Sequence, residues 1–113
     1  MSSETRIIQG SDLKYRIEIE SESFSTSTDS VTCEISAGEV SFTIPAPNTS
    51  NYSNDAAMIY DDEDPKVIYI CFSTEALPCT SVYLTVKVHI VDDDFPDGFR
   101  TEISRVKLCT LYT

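Results

Sequence analysis

Strict alternation of apolar and polar residues constrains the fold of this chain more than any other feature. Between positions 13 and 20, one parity is apolar and the other is charged: Leu13, Tyr15, Ile17 and Ile19 against Lys14, Arg16, Glu18 and Glu20. Successive side chains of a β-strand point to opposite faces, so this pattern predicts a half-buried strand. No segment shows a sustained 3.6-residue period, and the chain is therefore predicted to be all-β.

The same alternation recurs along the chain and predicts further strands. Apolar residues occupy every second position over 31–35, 40–44 and 82–91. The Ala-Gly-Glu turn at 37–39 predicts a hairpin between the first two runs.

Four other segments predict the remaining elements. Residues 67–72 are apolar on both parities, which is typical of a central strand covered on both faces. We expect a short edge strand over 56–60, a single helical turn over 73–77 and a closing strand over 101–111.

The number and spacing of these segments predict the architecture. The chain has 113 residues, enough for one domain and one core. Seven or eight short strands separated by turn signals favour a single immunoglobulin-like antiparallel β-sandwich over residues 7–113. Residues 1–6 are expected to form a loose N-terminal arm.

The charge balance narrows the class of partner. Nineteen acidic residues against eight basic ones give a formal net charge of -11. Nucleic acid and anionic membrane are disfavoured, because both need clustered Lys and Arg. The acidic excess either keeps the chain soluble or attracts a basic partner surface.

Four cysteines, Cys33, Cys71, Cys79 and Cys109, are far apart and show no C-x-x-C spacing. The first six residues contain no apolar export signal, so we expect all four thiols to be reduced and largely buried. A zinc site is not expected, because the only histidine is His89.

Nothing in the sequence carries the pattern of an enzyme. His89 falls opposite the apolar parity of the 82–91 run, which predicts a solvent-facing or cross-strand imidazole. A Cys–His pair has no local motif to support it, and no glycine-rich phosphate loop is present. The chain is therefore predicted to be a non-enzyme without a cofactor.

The acidic loop at 92–98 admits two interpretations. Asp92, Asp93, Asp94 and Asp97 could hold calcium, or they could cap turns by accepting hydrogen bonds from nearby backbone. The alternating ligand spacing of an EF-hand loop is missing, which favours the turn.

Three aromatic residues are candidate partner-binding residues. Phe95 and Phe99 flank a Pro-Asp-Gly turn, and Tyr52 lies in a polar segment. Each ring either packs under one end of the sandwich or is exposed as an interface anchor, because loop aromatics often supply binding energy at protein interfaces.

Three short motifs resemble known phage proteins. Residues 9–12 (QGSD) before an alternating strand, and 72–78 (FSTEALP) before a long strand, resemble the N-terminal domain of phage upper-baseplate (BppU-type) proteins. Residues 94–100 (DFPDGFR) before a last strand are similar to small virion proteins of phages infecting gut Bacteroidetes, including crAss-like head-fibre proteins. The family often has a glycine where this chain has Cys79, Thr80 and Ser81.

The resemblance implies a structural role. It favours a capsid decoration or head-fibre subunit that binds other phage structural proteins, forms a homo-oligomer (most simply a dimer) and is assembled into the virion in the host cytoplasm. The chain ends at Thr113 without a receptor-binding region, so a tail or baseplate adaptor is the second expectation. A bacterial immunoglobulin-like adhesion module is the third.

Overall fold

The computed structural model describes residues 5–20, 30–45 and 56–113. These residues form eight strands and no helix. The strands are β1 (Arg6–Ile8), β2 (Asp12–Glu18), β3 (Ser30–Ala37), β4 (Val40–Thr43), β5 (Ala57–Tyr60), β6 (Val67–Ser73), β7 (Ser81–Val91) and β8 (Phe99–Tyr112). The all-β prediction is confirmed. Seven strands coincide with the alternating or apolar runs of the sequence, whereas β1 is too short to show a period.

The strands form two sheets that face each other as a sandwich. The large sheet has the order β1-β8-β7-β3-β4, and the small sheet has the order β2-β6-β5. The prediction of a wholly antiparallel arrangement is wrong at one place, since β1 runs parallel to β8. These two strands are separated by the whole domain rather than joined by a hairpin, so no turn imposes an antiparallel direction on them.

The core lies between β3 and β7 on one side and β6 on the other. Ile35, Leu84 and Ile70 are fully buried there. The Phe42 ring of the large sheet meets the Phe72 ring of the small sheet edge to face, with centroids 6.1 Å apart. Alternate residues of β3 and β7 supply this layer, as their period-two patterns predict.

The small sheet has β6 at its centre, and its outer face is less covered than predicted. Val67, Ile68, Ile70 and Phe72 are buried, whereas the outward-facing Tyr69 is only half-buried. The Lys14 ammonium of β2 lies 5.3 Å from the centre of the Tyr69 ring. The predicted edge strand at 56–60 corresponds to β5, which is an edge of this sheet.

The predicted helical turn at 73–77 is wrong. A single backbone hydrogen bond, from the Leu77 N–H to the Thr74 carbonyl at 3.0 Å, closes one non-helical turn. The buried Thr74 hydroxyl instead connects this turn to the β1–β2 turn. It accepts from the Gly10 N–H and donates to the Ser11 carbonyl, both at 2.8 Å. Tertiary hydrogen bonds therefore replace helical ones.

The β3–β4 hairpin has the predicted position. Ala37 pairs with Val40, so Gly38 and Glu39 alone form the turn. Gly38 has φ 60°, a left-handed conformation that suits the twist of a two-residue hairpin and favours glycine.

A bulge in β8 changes which side chains face the core. Val82 pairs with Cys109 and Tyr83 with Lys107, so Leu108 is the extra residue. Strict alternation would place Val106 and Leu108 on the same face of β8. In the structure Val106 pairs with the inward-facing Leu84, and Cys109 takes the next inward position.

The N-terminal segment is partly described. Residues 1–4 lie outside the described residues, and β1 begins at Arg6, within the segment that the sequence suggests is a loose arm. The Thr110 N–H donates to the Thr5 carbonyl at 2.9 Å.

Among residues 5–20, 30–45 and 56–113, none forms a helix that could cross a membrane.

Candidate protein-binding face on the β7–β8 hairpin

The loop at 92–98 is a compact turn held by its own carboxylates. The Asp92 N–H donates to the Gly98 carbonyl at 2.9 Å, and the Asp92 Oδ1 accepts from the Asp94 N–H at 3.0 Å. The Asp97 Oδ1 accepts from the Phe99 N–H at 3.1 Å. Two of the four aspartates thus have the turn roles that the sequence analysis favoured.

Arg100 connects this loop to the inner face of β8. Its Nη1 lies 2.8 Å from the Asp92 Oδ2, and its Nε lies 3.0 Å from the Glu102 Oε2. The three side chains are only partly exposed, so solvent screens these ion pairs less than it screens fully exposed ones. Arg100 therefore holds the hairpin loop in a defined position.

Exposed apolar side chains lie on and beside this hairpin. Phe95 is 45% exposed and Phe99 is 47% exposed, and Val91 pairs with Phe99 in the ladder and is also exposed. Neither phenylalanine packs under the sandwich end. We call Val91, Phe95 and Phe99 the hairpin patch. Clustered exposed apolar side chains of this kind often mark a protein-binding surface.

Tyr52, the third aromatic candidate, lies outside the described residues. The structure therefore brings Phe95 and Phe99 to one end of the molecule and gives no position for Tyr52.

The free edge of β8 extends the hairpin patch along the large sheet. On the side away from β7, β1 pairs with β8 only at Thr110, Leu111 and Tyr112. Over residues 100–106, no described strand pairs with β8 on that side. We call this segment the β8 edge. Ile103, at its midpoint, is 62% exposed and points to the outer face of the large sheet.

Basic side chains follow the outer face of β7 and β8. The Arg105 guanidinium lies 4.3 Å from the centre of the Tyr83 ring, a cation–π contact across the two strands. Lys87 is exposed beside Ile103, its ladder partner. In a chain with a net charge of -11, this is a local concentration of positive charge next to apolar side chains.

His89 lies on this outer face, as its parity predicts. The Thr101 hydroxyl is 2.9 Å from the His89 Nδ1 across the β7–β8 ladder. The ring is half-buried and is engaged in a cross-strand contact.

On the inner side of β8, a groove of about 570 Å³ opens between β8 and β2. Leu84, Val86 and Val88 line its floor and Ile17 lines the β2 side. The charged residues lining it are all acidic: Glu18, Glu20 and Glu102. In the described part of the chain, the small sheet ends at β2 and does not extend over residues 100–106 of β8, which leaves this groove open.

The four cysteines are free thiols in different environments. Cys33 and Cys109 are buried, Cys71 is half-buried and Cys79 is exposed, so the expectation of burial is wrong for Cys79. Burial raises the pKa of the Cys33 thiol to about 12. Burial and the neighbouring Cys109 raise the pKa of Tyr15 to about 12. Cys79 lies in the β6–β7 connection, where no alternating pattern indicates burial.

A second acidic turn, at 61–64, is also structured by hydrogen bonds. The Asp61 Oδ2 accepts from the Glu63 and Asp64 N–H groups at 3.0 and 2.8 Å, and the Tyr69 hydroxyl donates to its Oδ1 at 3.1 Å. These bonds hold the pKa of Asp61 below its usual value. Within the described part of the chain, no group of three or more His, Cys, Asp or Glu side chains is arranged to hold a metal ion.

The aromatic residues of the hairpin were predictable from the sequence, whereas the β8 edge and the groove were not. Both depend on which strands cover β8, and the chain order of the strands does not indicate this. The polar inward-facing residues Arg100, Glu102 and Ser104 were the available signal, since an inward parity without apolar residues indicates a face with no covering sheet.

No family model, curated protein or solved structure matches the chain.

Proposed function

We propose that the chain is a structural protein of a phage virion, a capsid decoration or head-fibre subunit that acts by binding other structural proteins and by self-association. The observation that carries the binding part is the hairpin patch: two half-exposed phenylalanines and Val91 on a turn held by Asp92, Asp97 and Arg100. The phage assignment rests on the resemblance of the three short motifs.

The described geometry adds one observation to that resemblance. Two of its motifs, 9–12 and 72–78, contact each other through Thr74 and through Gln9, whose Nε2 donates to the Glu75 carbonyl at 2.8 Å. Motifs distant in sequence thus form one structural unit at the end of the sandwich opposite the hairpin patch. A shared unit of this kind supports a common fold better than two unconnected matches do.

An immunoglobulin-like topology is part of this proposal. In an immunoglobulin domain the second, fourth and fifth principal strands, B, D and E, pair in one sheet, whereas C, F and G pair in the other. The order β2-β6-β5 against β8-β7-β3-β4 supports that correspondence, with β1 beside the last strand. The inter-sheet disulfide and the buried tryptophan of antibody domains have no counterpart here, since the cysteines are free and the chain contains no tryptophan.

The hairpin patch is suited to binding because its backbone is already ordered. A partner that covers both phenylalanines gains apolar burial without the entropic cost of fixing a mobile loop. Replacing an aromatic residue at the centre of an interface commonly costs about 2 kcal/mol or more. The double variant Phe95→Ser/Phe99→Ser removes this apolar area from side chains that contribute little to the core.

Mass spectrometry of purified particles tests the virion assignment. Particles of the phage whose genome encodes the chain should contain it in many copies, alongside the capsid proteins. Particles assembled with Phe95→Ser/Phe99→Ser in place of the natural chain should retain less than a tenth as much of it. The matched control Ile59→Ser, which changes an exposed apolar residue on β5 of the small sheet, should be retained fully. Absence of the natural chain from the particles contradicts the proposal.

Light scattering after size exclusion tests self-association. At micromolar concentration the chain should elute with twice the 12.6 kDa mass of one chain. A mass of one chain at every concentration contradicts this part of the proposal and leaves attachment to a larger particle unaffected.

A further inference from the structure

The β8 edge has the geometry of an unfinished sheet. Among the described residues, β8 is paired over 100–106 with β7 on one side only, and alternate backbone N–H and C=O groups point away from that partner. Such an edge is a template for another strand. Seven residues at about 3.4 Å each offer roughly 24 Å of pairing length.

We propose that the occupant of this edge is β8 of a second copy of the chain, antiparallel and centred on Ile103, so that two large sheets join into one continuous ten-stranded sheet. This inference rests on the proposed self-association and specifies its surface and register. If the two-fold axis of the dimer is perpendicular to the joined sheet, the residue at the centre of the paired β8 segment lies opposite the same residue of the second copy. Ile103 is the midpoint of the edge and is the most exposed large apolar side chain among the described residues.

The β8 sequence is self-complementary in this register. With Ile103 opposite its copy, Thr101 faces Arg105 on the outer face, while Arg100 faces Val106 and Glu102 faces Ser104 on the inner face. No two like charges lie directly opposite each other, an arrangement that cross-strand pairing favours. The two Ile103 side chains then cover each other, which buries apolar surface at the centre of the interface.

Other centres are less favourable. A centre at residue 102 places each Glu102 opposite its own copy, and like charges directly opposite destabilise a ladder. A centre nearer the loop shortens the pairing, because β8 begins at Phe99. A centre nearer the other end meets the bulge at Leu108 and then β1, which already pairs with Thr110.

This register leaves the hairpin patch available for other partners. The two β8 strands run in opposite directions, so the two loops at 92–98 lie at opposite ends of the joined sheet. A dimer built this way carries two hairpin patches and can bind two sites of a repeated assembly, which raises its effective affinity.

Disulfide trapping measures the register. In a Cys79→Ser background, which removes the exposed natural thiol, Ile103→Cys should form a disulfide-linked dimer under mild oxidation, because the Cα atoms of directly opposed residues are about 4.5–5.5 Å apart. Thr101→Cys and Arg105→Cys should each cross-link at least tenfold more slowly alone. Mixed together, these two variants should cross-link as fast as Ile103→Cys. Equal rates for Ile103→Cys and Thr101→Cys overturn the register.

Charge reversal at the centre is the second test and does not depend on oxidation. Ile103→Lys and Ile103→Glu should each weaken dimerisation at least tenfold in analytical ultracentrifugation, and an equimolar mixture of the two should restore it. Ile103→Val is the matched apolar control and should remain dimeric. If the natural chain is a monomer, the proposed self-association fails. If it is a dimer that both charged variants leave intact, only the β8 pairing fails.

Discussion

Strands β7 and β8 are hydrogen-bonded along almost their whole length, yet their inward-facing side chains have opposite environments. In β7 all five inward positions, from Val82 to Ile90, are buried. In β8 the paired positions from Arg100 to Val106 are half-buried or exposed. Among the described strands, the small sheet covers β7 and β3 but ends at β2, so residues 100–106 of β8 have a partner strand but no described strand packed over their inner face. Whether the inward-facing side chains of a strand must be apolar is therefore decided by the sheet packed over them, not by the strand hydrogen-bonded beside them.

The same comparison explains where binding residues accumulate. Inward positions that no sheet covers can carry charged residues in place of core residues, as β8 does with Arg100 and Glu102. Its free edge and the adjoining hairpin then present ordered backbone and apolar side chains to a partner. The half of the large sheet that contributes least to the core is therefore the half that we assign to binding.

The largest expected effect on stability comes from truncating Leu84, and truncating its partner in the β7–β8 ladder, Val106, provides the comparison. Leu84 on β7 is fully buried and its ladder partner Val106 on β8 is 50% exposed. Leu84→Ala should lower the free energy of unfolding by about 2–5 kcal/mol. Val106→Ala should lower it by less than about 1 kcal/mol. Urea denaturation of both variants measures the difference, and equal losses would mean that β8 has a covering layer.

Thiol reactivity should separate the covered layer from the surface. Native Cys79 should react with Ellman's reagent at least a hundredfold faster than Cys33, because Cys33 is buried and burial raises the pKa of its thiol to about 12. Cysteine reacts as the thiolate, so Cys33 needs an opening of the sandwich before it can react. All four thiols should react in denaturant. Two or fewer reactive thiols would contradict the assignment of free cysteines.

A smaller effect is expected from the ion pair that holds the hairpin. Asp92→Asn removes the charge that faces Arg100 at 2.8 Å, and we expect a loss of about 1 kcal/mol because both side chains are largely covered. Glu18→Gln removes the exposed 3.7 Å pair with Arg16 and should cost less than about 0.5 kcal/mol. Thermal denaturation at low and high salt compares the two variants. An equal, salt-sensitive loss in both would show that the hairpin pair is fully solvated.

The smallest expected effect concerns the second acidic turn. Its hydrogen bonds lower the pKa of Asp61 in the folded chain, so the carboxylate stabilises the fold above its unfolded pKa. That contribution is lost as the pH falls through the lowered folded pKa. Asp61→Asn should therefore destabilise the chain slightly at pH 7 and make no difference at strongly acidic pH. Urea midpoints at the two pH values measure this, and a loss that is equal at both would exclude a charge effect.

The elements of the fold were predictable where one face of a strand is covered. Alternation in β2, β3 and β7 and the glycine of the β3–β4 turn placed these strands close to their observed positions. The three residues of β1 are too few to show a period, and its pairing with β8 depends on tertiary contacts. The turn at 73–77 is not the expected helical turn, because the hydroxyl of Thr74 bonds to the β1–β2 turn.

The candidate site was only partly predictable. Phe95 and Phe99 were recognisable because aromatic residues beside a Pro-Asp-Gly turn are unusual in a solvated loop. The sequence left their exposure open, since it depends on how far the small sheet extends. Nothing in the sequence around Ile103 indicates an interface. An isolated apolar residue on the outer face of a strand suggests one only when the edge beside it is known to be free.

Hydrogen exchange at two protein concentrations tests the central claim that the β8 edge is an interface. At nanomolar concentration, where monomers dominate, alternate amides over 100–106 that point away from β7 should exchange rapidly while β7 remains protected. At a concentration above the dimerisation constant, those same amides should become protected at least tenfold, with no change in β7. Protection of the β8 edge that is identical at both concentrations would contradict the account.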